Sequence, residues 1–134
     1  MCHSQNAGQN CIGIERLLVH RRQYDDLHAI FTDRVTKMRL GSVMAPTDQG
    51  YLSPVDCGAM ISTQRFEGLE HIIRRAKATE TEEEVQVEGG SRYEHVFNEK
   101  GCYFLPTLVG PATKDMEIAQ KERESSLCYR CCPK

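Results

Sequence analysis

Residues 16–41 read RLLVHRRQYDDLHAIFTDRVTKMRLG, and they set the class of fold. Arg16-Leu17-Leu18-Val19-His20 is an apolar run too short for a helix and predicts a buried strand. Directly after it, Tyr24, Leu27, Phe31, Val35 and Met38 recur at spacings of three and four, which is one face of an α-helix. The helix is predicted over 22–39, and Gly41 stands just past its end, where a stop signal belongs. A strand that feeds a helix is the repeating unit of layered α/β folds.

Working outward, the segment 41–57 holds two prolines and two glycines and reads as a long loop. Ser62 is placed to cap a second helix whose apolar face is Phe66, Leu69, Ile72, Ile73 and Ala76. An acidic turn over 79–84 leads into Val85-Gln86-Val87, whose alternation predicts a strand. Cys102-Tyr103-Phe104-Leu105 and Pro106-Thr107-Leu108-Val109 form a second apolar stretch, with Pro106 marking an edge or a strand end. The expected class is therefore α/β, with helices packed on a mostly parallel sheet. Residues 123–134 carry neither a helical nor a strand period and are expected to be an unstructured tail.

Composition narrows the partners. With 40% hydrophobic residues the chain has material for a core, unlike a disordered segment. A net charge of −2 gives no global attraction for nucleic acid or an anionic membrane. No apolar run approaches the ~20 residues that span a bilayer, and the polar start, Met1 to Asn6, is not a signal peptide. Seven cysteines at irregular spacing do not make a disulfide framework and fit free thiols in a reducing compartment, so a cytoplasmic location is expected. Cys128-x-x-Cys131 lacks a second pair of ligands, and no metal site is assigned.

The sharpest motif is Asn6-Ala7-Gly8-Gln9-Asn10-Cys11. A nucleophilic cysteine needs its thiolate and an open approach, and small residues ahead of it admit a carbonyl. Backbone N–H groups at a turn can stabilise the resulting oxyanion. Taken alone, a cysteine between such neighbours is more often a buried packing residue than a nucleophile.

Further residues extend the pattern. Residues 6–13 resemble the cysteine signature of the aldehyde dehydrogenase superfamily, in which Gly-Gln-x-Cys precedes a small residue. Glu15-Arg16-Leu17-Leu18-Val19-His20 resembles the strand that follows it, and Gly58-Ala59-Met60-Ile61-Ser62 resembles the element before the next helix. Gly101-Cys102-Tyr103-Phe104-Leu105-Pro106-Thr107 is similar to the family's Gly-x-Tyr-Phe-x-Pro-Thr strand. Ile118-Ala119-Gln120-Lys121-Glu122 is similar to the approach to its Glu-x-Phe-Gly-Pro motif.

The resemblance implies that residues 1–122 are part of an aldehyde dehydrogenase catalytic domain. It implies that Cys11 is the nucleophile, forming a thiohemiacetal and then a thioester as an aldehyde is oxidised to an acid with NAD or NADP. Glu122 falls on the glutamate that holds the nicotinamide ribose, while Gln64 and Arg65 lie at a helix start that contacts cofactor in some members. The parent enzyme is expected to be a homo-oligomer. The match ends where Arg123-Glu124-Ser125 stands in place of Phe-Gly-Pro. The family's oxyanion asparagine and general-base glutamate precede the cysteine and fall outside these residues, so a truncated product, inactive alone, is expected. Two further readings stay open: a non-catalytic remnant that binds a partner, and an unrelated cysteine acyl-transfer enzyme. The ordered landmarks disfavour the last.

Overall fold

A computed structural model describes residues 5–10, 16–42, 54–79, 84–94, 101–120 and 128–133. The first apolar run forms strand β1 (Arg16–Val19). A 3-10 turn over Arg21–Gln23 follows, opened by His20, whose Nδ1 accepts the backbone N–H of Arg22 at 3.2 Å. Helix α1 (Tyr24–Thr36) carries Asp25 and Asp26 in its first turn and Arg34 in its last, matching the sign of the helix dipole at each end.

The helix stops three residues short of Arg39, and the cause is tertiary. Arg39 is pulled into an extended pairing with residues 17 positions away. Its carbonyl accepts the N–H groups of Asp56 (2.9 Å) and Cys57 (3.1 Å), and Leu40 forms a parallel bridge with Cys57. The Arg39 guanidinium clamps the Asp56 carboxylate with Nε–Oδ2 at 2.8 Å and Nη2–Oδ1 at 3.1 Å, while its backbone N–H adds a third bond at 3.0 Å. These bonds hold the Asp56 carboxyl at about 2, the side-chain bonds from Arg39 being the largest cause and its backbone N–H the next. A lowered carboxyl pKa contributes stability above the ordinary carboxylate range, and that contribution is lost as pH falls from about 4 through about 2. Asp56→Asn should therefore lower the urea midpoint at pH 7 by a small amount, since the pair is solvent-exposed, and by clearly less at pH 2. An equal effect at both pH values would show that charge is not the cause.

Ser62 caps the second helical segment as expected: its Oγ accepts the Gln64 N–H at 3.1 Å, opening a 3-10 turn over Thr63–Arg65 that runs into α2 (Phe66–Lys77). All five of the expected apolar positions, Phe66, Leu69, Ile72, Ile73 and Ala76, are buried. Strand β2 (Gln86–Glu88) lies within a residue of its predicted place. Two glycines with positive φ, Gly89 (+75°) and Gly90 (+81°), then turn the chain, and the Gly90 N–H donates to the buried Thr107 Oγ1 at 3.1 Å. A side chain on Gly89 would overlap the Pro106 carbonyl.

The stretch 102–105 forms isolated bridges rather than a strand, Met60 with Cys102 and Arg92 with Phe104. Strand β3 (Thr107–Gly110) begins directly after Pro106, which thus marks a strand end. A short helix α3 (Glu117–Gln120) follows. Within the expected unstructured tail, Cys128–Pro133 form strand β4, a correction for those residues, while 123–127 and 134 lie outside the described residues.

The sheet order is β1-β4-β3-β2. β4 runs parallel to both neighbours, pairing Arg16–Val19 on one side and Thr107–Val109 on the other. The expected mostly parallel sheet needs a correction at the other end: β2 joins β3 antiparallel, so the sheet is mixed. Two glycines of positive φ directly after β2 turn the chain out of that strand, and a turn of this kind is compatible with antiparallel pairing. β1 is also not the buried strand its composition suggested. It lies at a sheet edge, and Leu18 is 70% exposed.

One apolar cluster gathers Val35 of α1, the buried face of α2, Leu108 and Val109 of β3, and Ile118 and Ala119 of α3. α1 packs against β2, β3 and β4, and α2 against β2 and α3. No helix among the described residues is long and apolar enough to cross a membrane.

Candidate active site

The motif ahead of Cys11 adopts a backbone that ordinary residues avoid. Asn6 and Ala7 both have φ of 55°, and Gly8 follows at 77°. The left-handed region costs an L-residue roughly 1–2 kcal/mol, so two such residues in sequence need support. Some of that support is burial: Ala7 is 5% exposed and belongs to the main core cluster. The rest comes from Gln9. Its backbone N–H (3.0 Å) and its Nε2 (2.8 Å) both donate to the Asn6 carbonyl, closing the turn. Its Oε1 accepts the backbone N–H of Ile61 at 3.0 Å, across 52 positions of chain.

Gln9 therefore joins two of the sequence landmarks, the loop 6–10 and the element 58–62. That element is anchored in turn by the Met60 N–H, which donates to the Cys102 carbonyl at 2.8 Å. Three landmarks distant in sequence are thus joined, one link made by the Gln9 side chain and the other backbone to backbone. The sequence places Gln9 in the motif but gives it no role, since a side chain's partner 52 positions away leaves no local pattern. Gly58 is not sterically required, as nothing lies within 4 Å of where its Cβ would stand.

Cys11 and Glu122, the two expected site residues, lie outside the described residues. Gln64 and Arg65 stand exposed in the 3-10 turn at the start of α2. An arginine and an amide at a helix start suit an anionic ligand edge but do not enclose a dinucleotide by themselves. Two other thiols are described. Cys57 is buried and its pKa is raised to about 11, by burial first and the Asp56 charge second, which makes it a poor nucleophile. Cys102 is a half-buried free thiol. Among the described residues no group of three or more His, Cys, Asp or Glu is placed to hold a metal ion.

A helix-and-sheet layer with a strained loop over residues 6–8, just ahead of a cysteine in the sequence, defines the class: an α/β fold. Comparison with known proteins narrows it. The model of the aldehyde dehydrogenase family matches residues 2–123, and the chain belongs to that family. The chain is 45% identical over 120 residues to an aldehyde dehydrogenase-like protein of Saccharomyces cerevisiae, a match covering 88% of this chain and 17% of the yeast protein. It is 31% identical over 117 residues to the NADP(+) D-glyceraldehyde dehydrogenase of Thermoplasma acidophilum, covering 87% of this chain and 22% of that enzyme. Among solved structures, a double mutant of betaine aldehyde dehydrogenase from Staphylococcus aureus in complex with NAD+ superposes with a TM-score of 0.79 at 26% identity. That match covers 98% of this chain and 24% of the other. The chain thus spans about a fifth of the length of these relatives.

Proposed function

We propose that these residues carry the nucleophile segment of an NAD(P)-dependent aldehyde dehydrogenase, with Cys11 as the attacking thiol. The observation that carries this reading is the left-handed turn Asn6–Gly8, held by Gln9 and ending three residues before Cys11. Backbone kept in a sparsely populated region, and supported from three sides, is the form strain takes at functional sites. Cys11 adds to the carbonyl carbon of an aldehyde, and backbone N–H groups near it are the candidate donors to the oxyanion that forms. Bound NAD or NADP supplies the hydride acceptor of the reaction. Glu122 is the proposed contact to the nicotinamide ribose, and Gln64 and Arg65 are further candidates at the helix start. The full protein is proposed to act on an aldehyde as a homo-oligomer.

Thiol reactivity tests the assignment. At pH 8, with iodoacetamide, Cys11 should be alkylated at least about a hundredfold faster than Cys57, because a thiol at about 11 holds far less thiolate than a free one near ~8.5. A Cys11 no faster than Cys57 would overturn the nucleophile reading and favour the non-catalytic remnant. The 134-residue chain alone is expected to show no NAD- or NADP-dependent aldehyde oxidation. Turnover by the pure chain that disappears in Cys11→Ala would refute that expectation.

A further inference from the structure

We infer that Gln9 is a positioning residue for the Cys11 thiol, acting as a two-ended clamp between the turn ahead of the cysteine and the backbone of Ile61. The inference rests on the reading of Cys11 as the nucleophile and adds to it the device that sets the thiol's place.

The geometry supplies the reason. One end of the Gln9 amide, Nε2, donates to the Asn6 carbonyl at 2.8 Å, and the other end, Oε1, accepts from the Ile61 N–H at 3.0 Å. An amide is the side chain that can donate and accept at once along one short stem; a carboxylate only accepts and an alkyl group does neither. The turn it closes is strained at Asn6 and Ala7, so it needs bonds from outside itself to stay in place. The surface it is tied to is firm: Met60 is bonded to Cys102, and Ser62 caps the segment leading into α2. Ile61 is 83% exposed, so its side chain gives the loop little packing, and the Gln9 amide bonds directly to its backbone. Asn10 and Cys11 follow Gln9 directly in the sequence. Loss of the clamp lets the turn relax toward ordinary backbone angles and moves the start of the segment that carries the thiol.

The test uses the 134-residue chain at nanomolar concentration, with iodoacetamide as the probe. Site-resolved mass spectrometry follows each thiol from pH 6 to 9, and deuterium exchange follows the Ile61 amide. Gln9→Ala removes both side-chain hydrogen bonds, and each one lost corresponds to about a five- to tenfold change, so that factor is the minimum expected. Gln9→Ala is expected to slow Cys11 alkylation by at least that factor, shift its pH midpoint, and speed exchange at Ile61 to a similar extent. Gln9→Glu keeps the acceptor for Ile61 and should restore its protection together with part of the Cys11 rate. Cys57 and Cys102 should not change in either variant. If Gln9→Ala leaves the Cys11 rate and midpoint unaltered while wild-type Cys11 still outpaces Cys102, the clamp is refuted and the nucleophile reading stands. If all three thiols speed up together, Gln9 serves only general stability and the inference is overturned. If wild-type Cys11 reacts no faster than Cys57, the nucleophile reading falls and takes this inference with it.

Discussion

Deletion of residues 123–134 is expected to abolish the cooperative unfolding transition of this chain. The segment contributes β4, which sits inside the sheet and is bonded on both sides. Arg16–Val19 faces Arg130–Pro133, and Thr107–Val109 faces Cys128–Arg130. Without β4, β1 has no ladder partner among the described residues, and the antiparallel pair β2–β3 is left as a two-stranded sheet. Two strands are marginal in water, and backbone groups stripped of their partners cost about 1–3 kcal/mol each when they stay buried. Thermal melting followed by circular dichroism should lose its sigmoid, and deuterium exchange should show β1 unprotected. A deletion variant that melts at the parent temperature with β1 still protected would show that β4 is dispensable.

Leu108→Ala should cost about 2–5 kcal/mol, the range for emptying a fully buried leucine site. Leu108 is 0% exposed, lies on β3 between β4 and β2, and shares the main cluster with Val109 and Ile118. β3 is paired on both edges, so its backbone cannot shift to fill the gap without breaking ladder bonds on one side. A domain of this size has roughly 5–15 kcal/mol in total, so one such change removes a large share. The urea midpoint should fall with the slope unchanged. Leu18→Ala is the control: Leu18 is 70% exposed, and its loss should stay within about 0.5 kcal/mol. A Leu108→Ala cost below that of the control would place the core elsewhere.

The features that read correctly from sequence are local ones. The buried face of α2 follows from apolar residues three and four apart, and its start from a serine oxygen that reaches an amide two residues on. Pro106 marks a strand end because it has no N–H to give a ladder. What failed to read depends on partners far along the chain. The end of α1 is taken by Asp56, the exposure of Leu18 follows from the edge position of β1, and the sense of β2 depends on its glycine turn. The tail shows the contrast most sharply. The family model stops at residue 123, yet the structural match covers 98% of the chain. A strand can be accepted into a sheet through backbone groups alone, which every residue type except proline offers in full, so no side-chain period announces it.

The candidate site divides along the same line. The order of the landmarks, and Cys11 as the residue to test, are legible in the chain because they depend on which residues follow one another. That Asn6 and Ala7 lie in the left-handed region, that Ala7 is buried in the core, and that Gln9 spans from Asn6 to Ile61 are properties of the folded molecule. The physical reason is that strain and hydrogen-bond partnership are set by what surrounds a residue in space. The segments that surround this loop are brought to it from as far as 52 positions away.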